Sequence, residues 1–235
     1  ARAPPPSMMK PFLSAALFLL ATASSTPKFP TSFTTRVEIT SNLLPVDGPS
    51  YPPRTRTIYL SYSAPLQAVK AEITAGYESG KTYLRQYSDK MEYMIKSGEF
   101  GKCQRSNLLE DFSLPHLPHL VEVGEELIDA VPHVHYVHDI AGGIERVHIY
   151  FNKENGNPRR LIHDDIEKDQ KHGGEIVTTL MTYDLHDFQL VGDDTQTEFG
   201  NIFDIPGEYQ NDPSKCERFV GGWGYIHVFH SYLKV

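Results

Sequence analysis

The feature that most constrains this chain is a two-residue hydrophobic period that returns segment after segment. Ile58, Leu60 and Tyr62 fall on one side of Thr57–Tyr62, and Val69, Ala71, Ile73 and Ala75 alternate with Lys70, Glu72 and Thr74. Tyr83, Arg85 and Tyr87 repeat the pattern, and Met91, Tyr93 and Ile95 alternate with Glu92, Met94 and Lys96. Further runs lie at 134–138, 146–151 (with Val147 and Ile149), 160–163 and 176–183 (with Met181 and Tyr183). Strands send successive side chains to opposite faces, so this period belongs to half-buried sheet. Turn-forming residues separate the runs at 78–80, 97–98, 142–143, 154–158 and 173–174; Asn155-Gly156 is the strongest hairpin cue. The spacing predicts a meander of roughly nine antiparallel strands. Helical signal is confined to 120–131, where Leu120, Val123, Leu127 and Val131 recur at helical spacing and Pro132 follows. Residues 184–188 read as a turn or a single helical turn. The fold class expected is all-β with one short helix: a curved antiparallel sheet, as a half-barrel or a two-sheet sandwich with an apolar pocket.

Residues 8–23 have a different character. Lys10 precedes a mostly apolar run, Pro11 to Leu20, and Ala21-Thr22-Ala23 supplies the small residues of a cleavage site. The run is about ten residues, half of the ~20 that span a bilayer. It is read as a signal peptide, with a buried N-terminal helix as the other reading. Residues 24–235 then form a single domain with an extra tail from about 211, secreted or held in the secretory pathway. No transmembrane segment is expected.

Charge narrows the partners. The chain carries 30 acidic and 22 basic residues, for a net charge of −8, and removing 8–23 takes away Lys10 and no acid. Nucleic acids are bound by basic patches, so no nucleic-acid partner is expected. Cys103 and Cys216, the two cysteines, fit an internal disulfide in an oxidising compartment; two free thiols or a bridge to another chain are the alternatives.

The order of features resembles the ependymin-related and LolA-like secreted proteins. The resemblance rests on the leader, an early strand at 33–39, paired Tyr-rich strands, Gly101-Lys102-Cys103 before Leu108–Phe112, and Asn201-Ile-Phe-Asp-Ile-Pro206 near the end. It spans about residues 33–210 in order of elements. Such proteins form a curved antiparallel sheet, so the resemblance implies a concave face enclosing an apolar ligand. It also implies an association with calcium and the extracellular matrix. The chain departs from the ependymin pattern in having two cysteines rather than four, and residues 219–230 have no counterpart.

Chemistry-bearing residues are few. The eleven histidines include His133, His135 and His138, near His116 and His119. On a strand His133 and His135 share a face and could supply two zinc ligands, with His148 or His163 from a neighbour. The other reading makes them the polar outer face of a sheet, free to charge at low pH. Asp193 and Asp194 could hold weakly bound calcium in a loop, though no Asp-x-Asp-x-Asp-Gly pattern occurs. No nucleophile elbow, His-Glu-x-x-His or phosphate loop is present, and no enzyme activity or cofactor is expected. Thirteen Tyr, twelve Phe and strand methionines suit the lining of an apolar site. The candidate lining is Ile58, Leu60, Tyr62, Tyr83, Tyr87, Met91, Tyr93, Ile95, Val147, Ile149, Met181 and Tyr183. Residues 45–54 and 114–132 would shape its mouth. The function expected is non-catalytic binding of a hydrophobic or amphipathic, lipid-like ligand outside the cell. The alternative is a matrix or adhesion protein acting through an acidic, calcium-binding surface; a homodimer would serve either.

Overall fold

A computed structural model of the chain describes residues 27–42, 54–96, 98, 101–112, 120–140, 142–169, 171–192, 200–210 and 212–223. Residues 8–23, 45–53, 114–119, 193–194 and 224–235 therefore lie outside the described residues. The strands are β1 (Ser32–Ser41), β2 (Arg54–Ser63), β3 (Ala68–Gly76), β4 (Lys81–Gln86), β5 (Met91–Lys96) and β6 (Lys102–Asn107), then β7 (Val121–Ile128), β8 (Val131–Ile140), β9 (Glu145–Asn152), β10 (Pro158–Lys168), β11 (Glu175–Leu190) and the two-residue β12 (Glu217–Arg218). One short helix, α1 (Gly207–Gln210), and a 3-10 turn (Pro213–Lys215) precede β12.

All twelve strands form a single sheet in the order β12-β6-β5-β4-β3-β2-β1-β11-β10-β9-β8-β7. It consists of two meanders, β1–β6 and β7–β11, joined where β1 pairs antiparallel with β11. Each neighbour within a meander is a hairpin partner, as antiparallel strands with short turns allow. Among the described strands only β12 runs parallel to its neighbour, β6. The expected all-β fold is borne out, as an open curved sheet rather than a sandwich.

One face carries the larger core. Phe33, Val37 and Ile39 stand beside Tyr62, Ile58, Tyr183 and Leu185, and Leu161, Ile149 and Tyr136 continue the row across β10, β9 and β8. Phe29, Leu108, Phe112 and Phe188 cap this face from outside the central strands or at their ends. Phe188 stacks on Phe33 at 4.8 Å between ring centres, and Phe112 meets Tyr87 edge-on at 5.2 Å. A second, smaller core lies on the opposite face of β3–β6, where Ala68, Leu84, Tyr93, Ile95 and Cys103 pack against Phe203 and Cys216. The expected bridge is formed: Cys103 and Cys216 are disulfide-bonded, closing a loop of 113 residues.

Two expectations are corrected. Residues 120–131 form no helix but the edge strand β7 and the turn into β8. Asp129 and Ala130 have φ of 53° and 63°, the paired positive values of a two-residue hairpin turn, between the facing residues Ile128 and Val131. A register shift between Glu122 and Gly124 marks a bulge that re-phases the apolar residues and imitates helical spacing. Residues 184–188 are neither turn nor helix but lie inside β11. There Thr34 faces Gln189 and Arg36 faces His186, so the longer side holds one extra residue; Asp187, at φ 52°, lies within it. The strand count also exceeds the nine expected, because β6, β7 and β12 lack a two-residue apolar alternation.

Candidate functional site: a cavity beneath the C-terminal segment

The inner face of β4–β6 carries a row of polar side chains. Arg85 on β4 stands opposite Glu92 on β5, which stands opposite Ser106 on β6. Left to solvent, such a row would be an ordinary polar edge, yet the three residues are only 8%, 3% and 5% exposed. The cover comes from the end of the chain. Tied to β6 by the disulfide at Cys216, the chain pairs through β12, and the Phe219 amide then donates to the Arg105 carbonyl at 2.8 Å. From there 220–223 crosses to the inner face. The Ser106 hydroxyl donates to the Gly221 carbonyl, the Arg85 guanidinium donates from Nη2 to the Trp223 carbonyl at 2.8 Å, and the Trp223 amide donates to Glu92 Oε1 at 3.3 Å.

Between this strap and the sheet lies a cavity of about 460 Å³. Leu108, Leu109, Phe219, Val220 and Trp223 make its apolar wall; Arg85, Glu92, Ser106, Asn107, Glu110 and Arg218 make its polar one. Phe219 and Trp223 stack at 5.0 Å, and Trp223 meets Tyr83 edge-on at 6.3 Å. Leu109 and Val220 are 96% and 89% exposed and stand at its mouth.

The cavity floor is a shared ion pair. Arg85 Nε lies 3.3 Å from Glu92 Oε2, and Nη1 lies 3.3 Å from Glu110 Oε1, which also accepts from the Tyr87 hydroxyl at 3.3 Å. Burial pushes the Glu92 carboxyl above its ordinary pKa, against the pull of Arg85. Burial likewise raises the Tyr87 hydroxyl, which stays protonated and able to donate. A buried charge pair of this kind persists where both partners are held by further hydrogen bonds, as the strap backbone does here.

The twelve residues expected to line an apolar site divide between the two faces. Ile58, Leu60, Tyr62, Tyr87, Val147, Ile149 and Tyr183 belong to the larger core, with Tyr83 and Met181 packed against it. Tyr93 and Ile95 belong to the smaller core on the opposite face, where Met91 joins them. None of the twelve is among the cavity's lining residues, although Tyr83 touches Trp223 from behind. Asp193 and Asp194 lie outside the described residues.

The histidines of β8–β10 do not form the exposed polar face expected: His133, His135 and His163 are buried, at 2%, 6% and 8% exposure, and His138 stands opposite the core residue Val147. His135 Nε2 and His148 Nδ1 are hydrogen-bonded at 2.8 Å, and His133 Nδ1 lies 2.8 Å from the Val131 carbonyl. Glu126 Oε1 lies 2.7 Å from His135 Nδ1, and Asp164 Oδ2 lies 3.2 Å from His148 Nε2. Neither His135 Nδ1 nor His148 Nε2 makes an aligned hydrogen bond across these contacts. Burial lowers the His148 pKa, with Asp164 opposing it. Tyr150, stacked on His135 at 4.3 Å, has its hydroxyl pushed up to about 12, chiefly by burial. Among the described residues no group of three or more His, Cys, Asp or Glu is placed to hold a metal ion.

Arg85, Glu92, Glu110, Phe219 and Trp223 were not expected at a site. Their one signal was Arg85, a charge standing in the row of Tyr83 and Tyr87, where an outward position would be usual.

No protein-family model matches the sequence, and no curated protein matches it. Several solved structures align with much of the chain at low TM-score. An uncharacterized conserved protein from Thermus thermophilus aligns with a TM-score of 0.48 and 10% identity, over 79% of this chain and 90% of that one. A LolA superfamily protein from Nitrosomonas europaea aligns with a TM-score of 0.29 and 16% identity, over 72% and 91%. LprF from Mycobacterium bovis aligns with a TM-score of 0.34 and 12% identity, over 68% and 89%. All three alignments score below 0.5, and the function is argued from the chain's own geometry.

Proposed function

We propose that the protein is an exported, non-catalytic binder of an amphipathic, lipid-like ligand, which it holds in the cavity beneath residues 217–223. The observation that carries this reading is the cavity itself: about 460 Å³, walled by Leu108, Phe219, Val220 and Trp223, with a buried ion pair as its floor. Ligand sites have this make-up, an apolar wall that gains from desolvation and a few fixed polar groups that orient the guest. The disulfide supports export, since such bridges persist in oxidising compartments.

The test is native mass spectrometry of protein secreted from a eukaryotic host, with organic extraction of whatever accompanies it. A co-purifying apolar species is expected, and it should be lost in Val220→Asp, a substitution at an exposed cavity residue that the core does not need. A clean apo mass, together with no binding of twelve-carbon amphiphiles of any head-group charge, would refute the proposal.

A further inference from the structure

A second pocket, of about 260 Å³, opens in the other meander, between the start of β8, the β9–β10 hairpin and the later part of β11. It falls just below the ~300 Å³ at which sites for drug-sized ligands begin, so it has room for a single ring and not for a lipid chain. One of its walls is His133, whose ring is 2% exposed and whose Nδ1 donates to the Val131 carbonyl at 2.8 Å. A carbonyl only accepts, so Nδ1 carries the proton and the neutral ring presents Nε2 as a bare acceptor. Among the described residues nothing hydrogen-bonds to that nitrogen.

Donors surround it. Asn152 stands opposite His133 on β9. Its Oδ1 accepts the Glu154 and Asn155 amides at 2.8 and 3.2 Å, and Asn155 Oδ1 accepts the Asn157 amide at 2.9 Å. Both carboxamides are thereby held with their oxygens toward the turn, which leaves each Nδ2 to donate elsewhere. The charged residues that line the pocket are already ion-paired. Arg159 meets Asp184 and Asp129 at 2.9 and 2.7 Å, and Asp187 meets Arg36 at 3.2 Å. An ionic guest would have to displace one of these pairs, whereas a neutral, hydroxylated guest would not. The backbone is shaped around the same spot. Arg159 is the extra residue of a bulge in β10, between Pro158 facing Phe151 and Arg160 facing Tyr150, and Asp187 at φ 52° lies within the bulge in β11. Bulges re-aim side chains beside functional sites, and left-handed non-glycine residues gather there too.

We infer that this pocket binds one pyranose ring of a neutral sugar. A ring hydroxyl donates to His133 Nε2, neighbouring hydroxyls accept from Asn152, Asn155 and Asn157, and a C–H face lies against Pro158 and Phe188. The site shares no residue with the cavity beneath 217–223, so its test is separate from that of lipid binding.

The full chain, isotope-labelled at its histidine ring nitrogens, is titrated with the methyl glycosides of glucose, galactose, mannose and N-acetylglucosamine, and with methyl glucuronide as the anionic comparison. At least one neutral glycoside should bind with a Kd of about 1 mM, the strength usual for a guest of this size, and should move the His133 Nε2 resonance in long-range proton–nitrogen spectra. Asn157→Ala should weaken that binding by about fivefold; the side chain makes no hydrogen bond among the described residues, so the fold does not depend on it. His133→Phe keeps a ring but removes the acceptor, and should weaken binding by about tenfold. The same ring is presented by a free sugar and by the end of a glycan. A preference for the methyl glycoside over its reducing sugar would support a glycan end, and parity would support a free sugar. Absence of binding by every neutral probe at about fifty times the expected Kd overturns the inference. Tighter binding of methyl glucuronide than of methyl glucopyranoside overturns it as well, as does binding left unchanged by both substitutions.

Discussion

Removing the disulfide should cost the protein a large part of its stability, and the cost can be worked from the chain. Cys103 and Cys216 are 113 residues apart. Closing a loop of that length removes conformational entropy from the unfolded chain worth about 4.8 kcal/mol at 25 °C in the chain-entropy description. Both cysteines are buried in the smaller core, at 3% and 1% exposure, so a single substitution would bury a free thiol. The perturbation is therefore Cys103→Ala with Cys216→Ala. We expect a loss of about 3–5 kcal/mol, a third or more of the stability usual for a domain. For a domain of this size that is a fall in Tm of about 10–15 °C. Because the effect acts on the unfolded state, urea unfolding should also show a steeper m-value, as the uncrosslinked chain exposes more surface. Far-UV circular dichroism follows the sheet, and Trp223 emission follows the strap. Coincident transitions at lower midpoints are expected. A sheet transition within about 2 °C of the parent, with only the Trp223 signal changed, would refute the reasoning. It would show the bridge to be a local clamp on residues 212–223 whose loss the sheet does not feel.

Three further outcomes follow from particular side chains. Arg85→Met leaves Glu92 buried beside the cavity without its partner and should cost about 3–5 kcal/mol, most of it recovered when Glu92→Gln is added; urea midpoints of the single and double variants decide this. Ala130→Gly relieves a residue held at φ 63° in the β7–β8 turn and should raise stability by about 1 kcal/mol, and an unchanged melting curve would count against the turn described. His148 has a folded pKa below its ordinary value of 6.5, chiefly through burial, so above pH 6.5 both states are neutral and it adds no pH dependence. Below pH 6.5 the unfolded chain takes up the proton first, and stability falls until the pH passes the lower folded pKa. Urea midpoints between pH 7.5 and 5 should therefore decline less in His148→Gln than in the parent, and parallel curves would refute the assignment.

Much of the sheet was legible because its inner face is continuously apolar. Ile58, Leu60 and Tyr62 are each at most 1% exposed, and their alternation with polar neighbours announces β2 without ambiguity. Strands β6 and β7 give no side chain to the larger core and gave no such signal. Along β7, Val121, Val123 and Leu127 are 63%, 60% and 73% exposed, and the bulge at Glu122–Gly124 shifts their phase. Helical spacing was the residue of that shift rather than evidence of a helix. In β6, Lys-Cys-Gln-Arg-Ser-Asn offers one apolar residue in six, because the inner face there is covered by strap backbone and needs hydrogen-bonding groups such as Ser106.

The candidate site was hidden for a related reason. At the β3–β6 end the sheet is buried on both faces, by Phe203 and Cys216 on one and by residues 219–223 on the other. Four consecutive residues of β5, Glu92 to Ile95, are consequently buried, and alternation no longer says which side is inside. Met91, Tyr93 and Ile95 looked equivalent to Ile58 and Leu60, yet they serve the opposite face. Conversely Glu92 looked like a solvated residue, when it holds Arg85 and the amide of Trp223, a residue 131 positions away. No local pattern encodes a contact of that range. It exists because the bridge at Cys103 returns the chain end to the one edge where Arg85, Glu92 and Ser106 leave a polar row for backbone to cover. The polar row therefore has meaning only together with the strap. Separating the two should expose Glu92 and restore its carboxyl toward ordinary acidity, a change that carbon-detected NMR titration of the bridge-free variant would register.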